Sequence, residues 1–372
     1  MKVLFTIDSL QQGGAEQSIA NIIRHFSDDV EVTVLYFYTK SDLLPVYQQL
    51  NCRIIALGLT GKYEWRKAIT EMKKVLQAVK PDIVVTSLYR SNIISRMACK
   101  ACGIKLLGTF VDDSYNPERK ATFKGIGRIK YQFTWLLDRL TSFIPYAWIS
   151  NSRVIGETNA QRLGISLNKI KVIYRGRDTT VFPIWQAPNH EVFKFICIGR
   201  LYEKKGYPEL LEAFIKLAQK HTNVVLEILG EGDYRGAMEK KIQSAGLEHS
   251  ITLSGNVPNA WRKLYEANCF VFPSRFEGFS GALVEAMMTG IPIISSDIPM
   301  NTEAVTHGET ALVHKLRDVD DLYLKMDEMI NHYESMKAMG EKARKVAFER
   351  FDIKVIANQY EMLLKDFVNN KL

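Results

Sequence analysis

"FKFICIGRLYEKKGYPELLEAF", residues 193–214, decides how this chain is organised. Its first six residues are apolar, β-branched or aromatic apart from one lysine, and read as a strand buried in a parallel sheet. A turn carrying Arg200, Lys204, Lys205 and Gly206 follows, and an amphipathic helix opens after it. The chain begins in the same order, with "KVLFTI" (2–7), the turn "DSLQQGGAE" and a helical run over 15–26. A strand–turn–helix unit that restarts halfway along 372 residues predicts two domains of similar construction.

Outward from these two starts the pattern holds. Strands are expected at 30–38, 53–57, 82–88, 105–110, 147–150 and 171–174 in the first half, with helices at 64–79 and 91–101 among the spacers. In the second half they are expected at 224–230, 251–255, 269–274, 291–296 and 310–314, with helices near 208–220, 234–245, 258–267, 281–289 and 319–331. Strands alternating with helices predict an α/β fold of two Rossmann-like, doubly wound parallel sheets. Two such sheets in tandem face a cleft at the carboxyl ends of their strands, where ligands of this class bind. The stretch "RDTTVFPIWQAPNHE" (177–191), with two prolines and few core signals, reads as the linker, and 334–370 as helical.

Composition narrows the class. A hydrophobic fraction of 47% and a charged fraction of 24% are those of a soluble globular protein. The N-terminus enters a strand directly, and no apolar run reaches the roughly 18 residues of a membrane span, which points to a cytoplasmic chain. Five scattered cysteines fit a reducing compartment, and "CKAC" (99–102) has no second pair to complete a zinc site. The net charge of +8 is uneven: residues 1–180 hold 26 Lys/Arg against 15 Asp/Glu, whereas 181–372 hold 23 against 26. The basic first half therefore expects an anionic partner: a phosphate-bearing substrate, a membrane surface or nucleic acid. No recognition motif supports nucleic acid.

Chemistry should sit in the turns after strands. Gly13-Gly14 opens a helix whose N–H groups favour an anion, without the G-x-G-x-x-G of a dinucleotide site. Arg200 can clamp phosphate oxygens bidentately and Lys205 adds a point charge beside Gly206, so this turn suits a diphosphate. The turns holding Gly230 and Val257 could wall a base pocket. "SRFEGFSGALVEAMMTG" (274–290) places Glu277 at the entry of a glycine-bearing turn and Glu285 one turn inside the helix it opens. There a carboxylate can accept hydrogen bonds from sugar hydroxyls, while the amides of Phe279, Ser280 and Gly281 can cradle phosphate or sugar.

Together, G-G-A-E (13–16), G-R-L…K-G (199–206) and E-x7-E (277–285) resemble the retaining glycosyltransferases of the GT-B fold in the large family 4, in the right order and over nearly the whole chain. The resemblance implies an N-terminal acceptor domain (1–178), a nucleotide-sugar domain (179–351) and a last helix (352–372) that crosses back to the first. It implies Arg200 and Lys205 on the donor diphosphate, Glu285 on the ribose, Glu277 near the donor sugar, and Gly13 and Gly14 beside the donor phosphate and acceptor. It implies a UDP-sugar as donor and no metal or other cofactor. Two departures stand out. Where many members have a histidine after a first-domain strand, "GTFVDDS" (108–114) has Val111, then Asp112 and Asp113; and the usual N-G-x-D reads R-G-R-D at 175–178. Arg175 and Arg177 either meet an anionic ligand or make a charged hinge.

Residues 119–140 form a basic amphipathic segment. Ile126, Ile129, Phe133, Leu136, Leu137 and Leu140 recur at helical spacing, with Lys120, Lys124, Arg128 and Lys130 between them. Such a helix either lies in an anionic membrane interface or packs its stripe on the core. The expectation is thus a glycosyltransferase, peripheral on the inner face of the cell membrane. It would move a hexose or N-acetylhexosamine to a glycan, lipid-linked or a surface-polysaccharide precursor. Asp112, Lys124, Arg128 and Lys130 would be on the acceptor or membrane side. The rivals are a GT-B sugar-nucleotide epimerase or phosphorylase, and a silent nucleotide-sugar-binding protein.

Overall fold

A computed structural model describes residues 1–61, 64–188 and 191–369. Positions 189 and 190 of the expected linker and the last three of 352–372 lie outside the described residues. The chain divides into two compact units, Met1–Gly176 with Ile353–Leu372 and Arg177–Asp352.

Among the described residues, unit 1 holds a seven-stranded parallel sheet: β1 (Lys2–Ile7), β2 (Glu31–Tyr38), β3 (Cys52–Leu59), β4 (Ile83–Ser87), β5 (Leu106–Phe110), β6 (Ala147–Ser150) and β7 (Ile170–Val172). Their spatial order is β3-β2-β1-β4-β5-β6-β7. Unit 2 holds six parallel strands: β8 (Phe193–Ile198), β9 (Val224–Leu229), β10 (Ile251–Gly255), β11 (Cys269–Phe272), β12 (Ile293–Ser296) and β13 (Leu312–His314), in the order β10-β9-β8-β11-β12-β13. Both sheets are the doubly wound α/β arrangement that the alternating pattern predicts. The central strands are buried along nearly their whole length because helices cover both faces, which is why they read as unbroken apolar runs.

In unit 1 the strand order reverses between β1 and β4, where Phe5 pairs with Val34 on one side and Val85 on the other. In unit 2 it reverses between β8 and β11, where Phe195 pairs with Leu226 and Cys269. At a reversal the two following loops leave towards opposite faces, and the gap between them is where open α/β sheets bind ligands.

The helix Ile353–Val368 belongs to unit 1. Ile356, Tyr360, Leu364 and Phe367 bury in the same core as Phe5 and Ile23. Its Glu361 accepts from the Ser27 N–H (2.9 Å) and hydroxyl (2.6 Å), satisfying groups left over at the end of the preceding turn. Unit 2 has its own core around Phe195, Phe214, Leu226, Val271 and Met326.

Three expectations need correction. The stretch read as a linker with few core signals is packed: Phe182 and Trp185 are buried in unit 2, and Trp185 Nε1 donates to the Ala267 carbonyl at 3.2 Å. Isolated aromatics without periodicity gave no warning of this. The basic segment is not one helix but two, Pro117–Ala121 and Ile126–Thr141, broken at Gly125 with φ +51°. The helix expected near 258–267 is a 3₁₀ stretch, Ala260–Glu266. A further helix, Arg153–Leu163, was not anticipated, although Ser152 caps it by accepting from the Ile155 N–H at 3.3 Å. No helix among the described residues is long and apolar enough to cross a membrane.

Candidate active site

In unit 2 the chain leaves β8 through Gly199 and Arg200, makes one 3₁₀ turn over Glu203–Lys205, and enters the helix Tyr207–Lys220 at Gly206. Gly206 has φ +76°, and a Cβ there would come within 2.0 Å of the Pro273 carbonyl. Only glycine allows this loop to press so closely on the one that follows β11. That contact sets up the central interaction of the unit: Lys205 Nζ donates to Glu277 Oε1 at 2.5 Å across the reversal point. The two side chains are 15% and 10% exposed, so each charge depends on the other for what water no longer supplies. Arg200 remains exposed, its guanidinium 5.2 Å from the centre of the Tyr202 ring.

Beyond Glu277 the turn reaches Ser280, whose hydroxyl accepts from the Leu283 N–H at 3.4 Å and caps the helix Gly281–Thr289. Phe279 points the other way, buried and edge-on to Phe351 at 5.3 Å. What the turn offers a ligand is therefore backbone: the first N–H groups of a helix lack intrahelical partners and attract anions. Glu285, one turn in, accepts from Arg177 Nε at 2.7 Å. Each of the two glutamates thus has its own cation, Lys205 for one and Arg177 for the other.

Gly230 explains itself by packing. With φ +143°, it lies so close to Gly199 that a Cβ would meet that carbonyl oxygen at 1.9 Å. Its N–H donates to the Gly255 carbonyl at 2.8 Å, tying the ends of β9 and β10 together. Val257 lies half-buried in the loop after β10.

The remaining expected residues lie in unit 1. Gly13 caps and Gly14 begins the helix Gly14–Ile23. A Cβ on Gly14 would fall 2.7 Å from Arg175 Nη2, and Arg175 Nε donates to the Ser18 hydroxyl at 3.1 Å. The guanidinium of the departing R-G-R-D thus rests on the first turn of that helix. Asp112 accepts from Arg119 Nη1 at 2.8 Å, while neighbouring Asp113 is buried against Arg162 and burial raises its pKa.

Lys124, Arg128 and Lys130 are exposed, and so is the apolar stripe beside them: Ile126 at 72%, Ile129 at 66%, Phe133 at 67% and Leu140 at 60%. Of the two alternatives, core packing of this stripe is not what the structure has. The helix is fastened instead by polar groups on its other face, where Asp138 accepts from Arg96 Nη1 (2.6 Å) and from the Tyr115 hydroxyl (2.5 Å). A cavity of about 790 Å³ runs along it, lined by Ile129, Phe133, Trp135 and Leu136.

Sequence reasoning missed the Arg177–Glu285 and Arg96–Asp138 pairs. Arg177 was visible as a departure from the family pattern, but its partner lies 108 positions away. In the C-x-x-C, burial pushes the Cys99 thiol up to about 12. Among the described residues no group of three His, Cys, Asp or Glu is placed to hold a metal ion.

Two family models match the chain, "Glycosyltransferase Family 4" over residues 12–181 and "Glycosyl transferases group 1" over 180–346. The N-acetylgalactosamine-N,N'-diacetylbacillosaminyl-diphospho-undecaprenol 4-alpha-N-acetylgalactosaminyltransferase of Campylobacter jejuni is 25% identical over 373 residues, covering 95% of this chain and 97% of that protein. The 2-deoxystreptamine N-acetyl-D-glucosaminyltransferase of Niallia circulans is 32% identical over 127 residues, 34% of this chain; the match spans only about a third of that relative (33%). The crystal structure of Anabaena HepE in complex with UDP has a TM-score of 0.85 at 19% identity, covering 98% of this chain and 100% of that one, and speaks for the fold.

Proposed function

For a chain that belongs to the GT-B glycosyltransferases, we propose that unit 2 binds a UDP-sugar and that a hexose or N-acetylhexosamine passes from it, with retention of configuration, to a glycan bound by unit 1. The observation that carries this reading is the Lys205–Glu277 pair at the strand-order reversal. It puts a cation for a diphosphate and an acceptor for sugar hydroxyls side by side at the place where this sheet type binds ligands.

In this reading Arg200 clamps the diphosphate oxygens and Lys205 adds its charge. As the bond between sugar and phosphate breaks, negative charge collects on the departing diphosphate. These two cations and the N-terminus of the helix Gly281–Thr289 stabilise it. Glu277 accepts from hydroxyls of the donor sugar. Glu285 accepts from the ribose and, held by Arg177, is already positioned to do so. UDP as the nucleotide is supported by the UDP in the Anabaena structure.

The acceptor is a lipid-linked glycan. Two observations support this: the diphospho-undecaprenol substrate in the Campylobacter relative's name, and the exposed apolar stripe with its basic flank in unit 1. That helix lies in an anionic membrane surface, apolar residues among the acyl chains and lysines at the headgroups.

The test is a thermal-shift panel of nucleotide-sugars followed by transfer assays on membranes from the source cell. UDP-sugars should stabilise the protein, and Lys205→Ala and Glu285→Ala should weaken the shift and lower transfer by about 10²-fold or more. Wild-type turnover in both variants would sink the assignment.

A further inference from the structure

The cavity along the helix Ile126–Thr141 differs from the exposed stripe beside it, because it has walls. Its volume of about 790 Å³ is in the roughly 300–1,000 Å³ range of sites that enclose a single ligand molecule. One wall is the stripe itself, through Ile129, Phe133 and Leu136, which are 66%, 67% and 44% exposed. The opposing surface comes from outside the helix, from Tyr115, Pro117 and the end of the helix Arg153–Leu163.

The chemistry of the wall is apolar by arrangement. Each aromatic side chain that carries a polar atom spends it on the protein. The Tyr115 hydroxyl donates to Asp138 Oδ2 (2.5 Å), the Tyr131 hydroxyl to the Ser114 carbonyl (3.3 Å) and Trp135 Nε1 to the Arg162 carbonyl (3.2 Å). Ring carbon is what remains for a ligand. Gln132 and Gln161 are the neutral polar side chains of the wall, and none of its buried polar atoms lacks a partner among the described residues. Such a surface makes little demand for hydroxyls and gains most from hydrocarbon.

The charges in the wall have one sign: Lys120, Arg139 and Arg162 line it, and no carboxylate does. Arg162 is neutralised by Asp113, whereas Lys120 and Arg139 have no ion pair among the described residues. Arg139 is held over the Trp135 ring at 5.5 Å, and its Nη1 donates to the Arg162 carbonyl at 3.3 Å. An exposed guanidinium fixed beside an apolar trough suits the head of an anionic amphiphile.

We propose that this cavity holds one lipid molecule at a time, its hydrocarbon chain along Ile129, Phe133 and Leu136 and its anionic head on Arg139. That the molecule comes from a bilayer rests on the membrane reading of this helix; that the cavity takes a hydrocarbon chain with an anionic head does not. Ile126 and Leu140 belong to the stripe but not to the cavity, so the two roles can be separated.

Calorimetric titration of the full chain with octyl, decyl and dodecyl phosphate, each below its micelle concentration, tests this. Dodecyl phosphate should bind one molecule per chain with a Kd of ~0.1 mM or below, and each two methylenes should tighten binding roughly tenfold. Phe133→Ser should weaken both dodecyl phosphate and the uncharged dodecyl maltoside. Arg139→Gln should weaken the phosphate about tenfold and leave the maltoside unchanged, a split that mere loss of structure would not give. Ile126→Ser with Leu140→Ser should lower sedimentation with phosphatidylserine vesicles and leave dodecyl phosphate binding unchanged. No saturation at one per chain, no dependence on chain length, or equal loss of both amphiphiles in Arg139→Gln would each overturn the proposal. If vesicles sediment the protein while dodecyl phosphate does not bind, the cavity fails and the membrane reading stands. If dodecyl phosphate binds and vesicles do not, the membrane reading fails and the cavity stands.

Discussion

The two units share a strand order and use its reversal point in opposite ways. In unit 2 the loops after β8 and β11 are drawn together where Gly206 meets the Pro273 carbonyl and joined by a sheltered ion pair, Lys205 with Glu277, beside an exposed Arg200. In unit 1 the loops after β1, β4 and β5 surround neutral amides, a leucine with φ +73° and the buried Asp8, which Arg90 faces. Topology says where each sheet can bind something; the side chains at that point say what. A crevice with an exposed cation to spare, as in unit 2, suits a diphosphate.

The sharpest way to break the contrast is to remove the cation. Lys205→Ala should lower transfer by about 10²–10³-fold, the usual cost of losing one preorganised donor at a site of developing charge. Steady-state transfer kinetics would measure this, and wild-type turnover in the variant would remove Lys205 from the donor site.

Next in size is the backbone packing. Gly230→Ala places a Cβ on the Gly199 carbonyl and should cost about 3 kcal/mol, read as a lower urea midpoint of unit 2. Gly14→Ala meets only the far end of the Arg175 side chain, which can move, and should cost well under half of that. Equal losses would mean that Gly14 is as tightly enclosed as Gly230.

The basic flank of the exposed helix comes third. Replacing Lys124, Arg128 and Lys130 with Ser should weaken binding to phosphatidylserine vesicles by up to a hundredfold, at about 1 kcal/mol per cation. Unchanged sedimentation with the vesicles would remove the membrane assignment.

The smallest effects are in pH, and their signs oppose. Burial lowers the pKa of His314 in unit 2, so below the ordinary value of 6.5 the unfolded chain takes up a proton that the folded one refuses. Stability from this group is complete above pH 6.5 and is lost as pH falls towards the depressed folded pKa. His314→Gln should flatten that slope. Burial raises the pKa of Asp8 in unit 1, so holding it ionised at neutral pH costs stability that returns on protonation. Asp8→Asn should therefore stabilise the protein by about 1 kcal/mol at pH 7, as replacements of functional groups often do. It should bring no gain below the ordinary carboxylate pKa of 3.8, where both forms are protonated. Thermal melts across pH would show either slope absent if burial is not its cause.

Much of this was legible beforehand for a local reason. A strand in a doubly covered parallel sheet is apolar at nearly every position, so "KVLFTI" and "FKFICI" announce themselves, and the turn after each must carry glycine where backbones approach. The spacing of Glu277 and Glu285 about a turn and a helix start can likewise be read from neighbouring residues alone. The amphipathic segment was half-legible: its stripe is plain in the sequence, but the same stripe serves a core or a membrane, and nothing local distinguishes them. Trp185 shows the opposite failure, a single aromatic in a proline-bearing stretch whose burial depends on a carbonyl 82 positions away.

What the sequence determined by itself is the alternation of elements, the restart that makes two sheets, and the residue types available at the turns, because these follow from periodicity and backbone sterics over a few residues. Only the tertiary structure decided which charges meet. Lys205 finds Glu277, Arg177 finds Glu285 and Arg96 finds Asp138, while the Oδ1 atoms of Asn92 and Asn159 meet no hydrogen-bond partner. Electrostatic and hydrogen-bond partners are chosen by distance in space, and strands β1, β4 and β5, or β8 and β11, become neighbours only when the sheet forms.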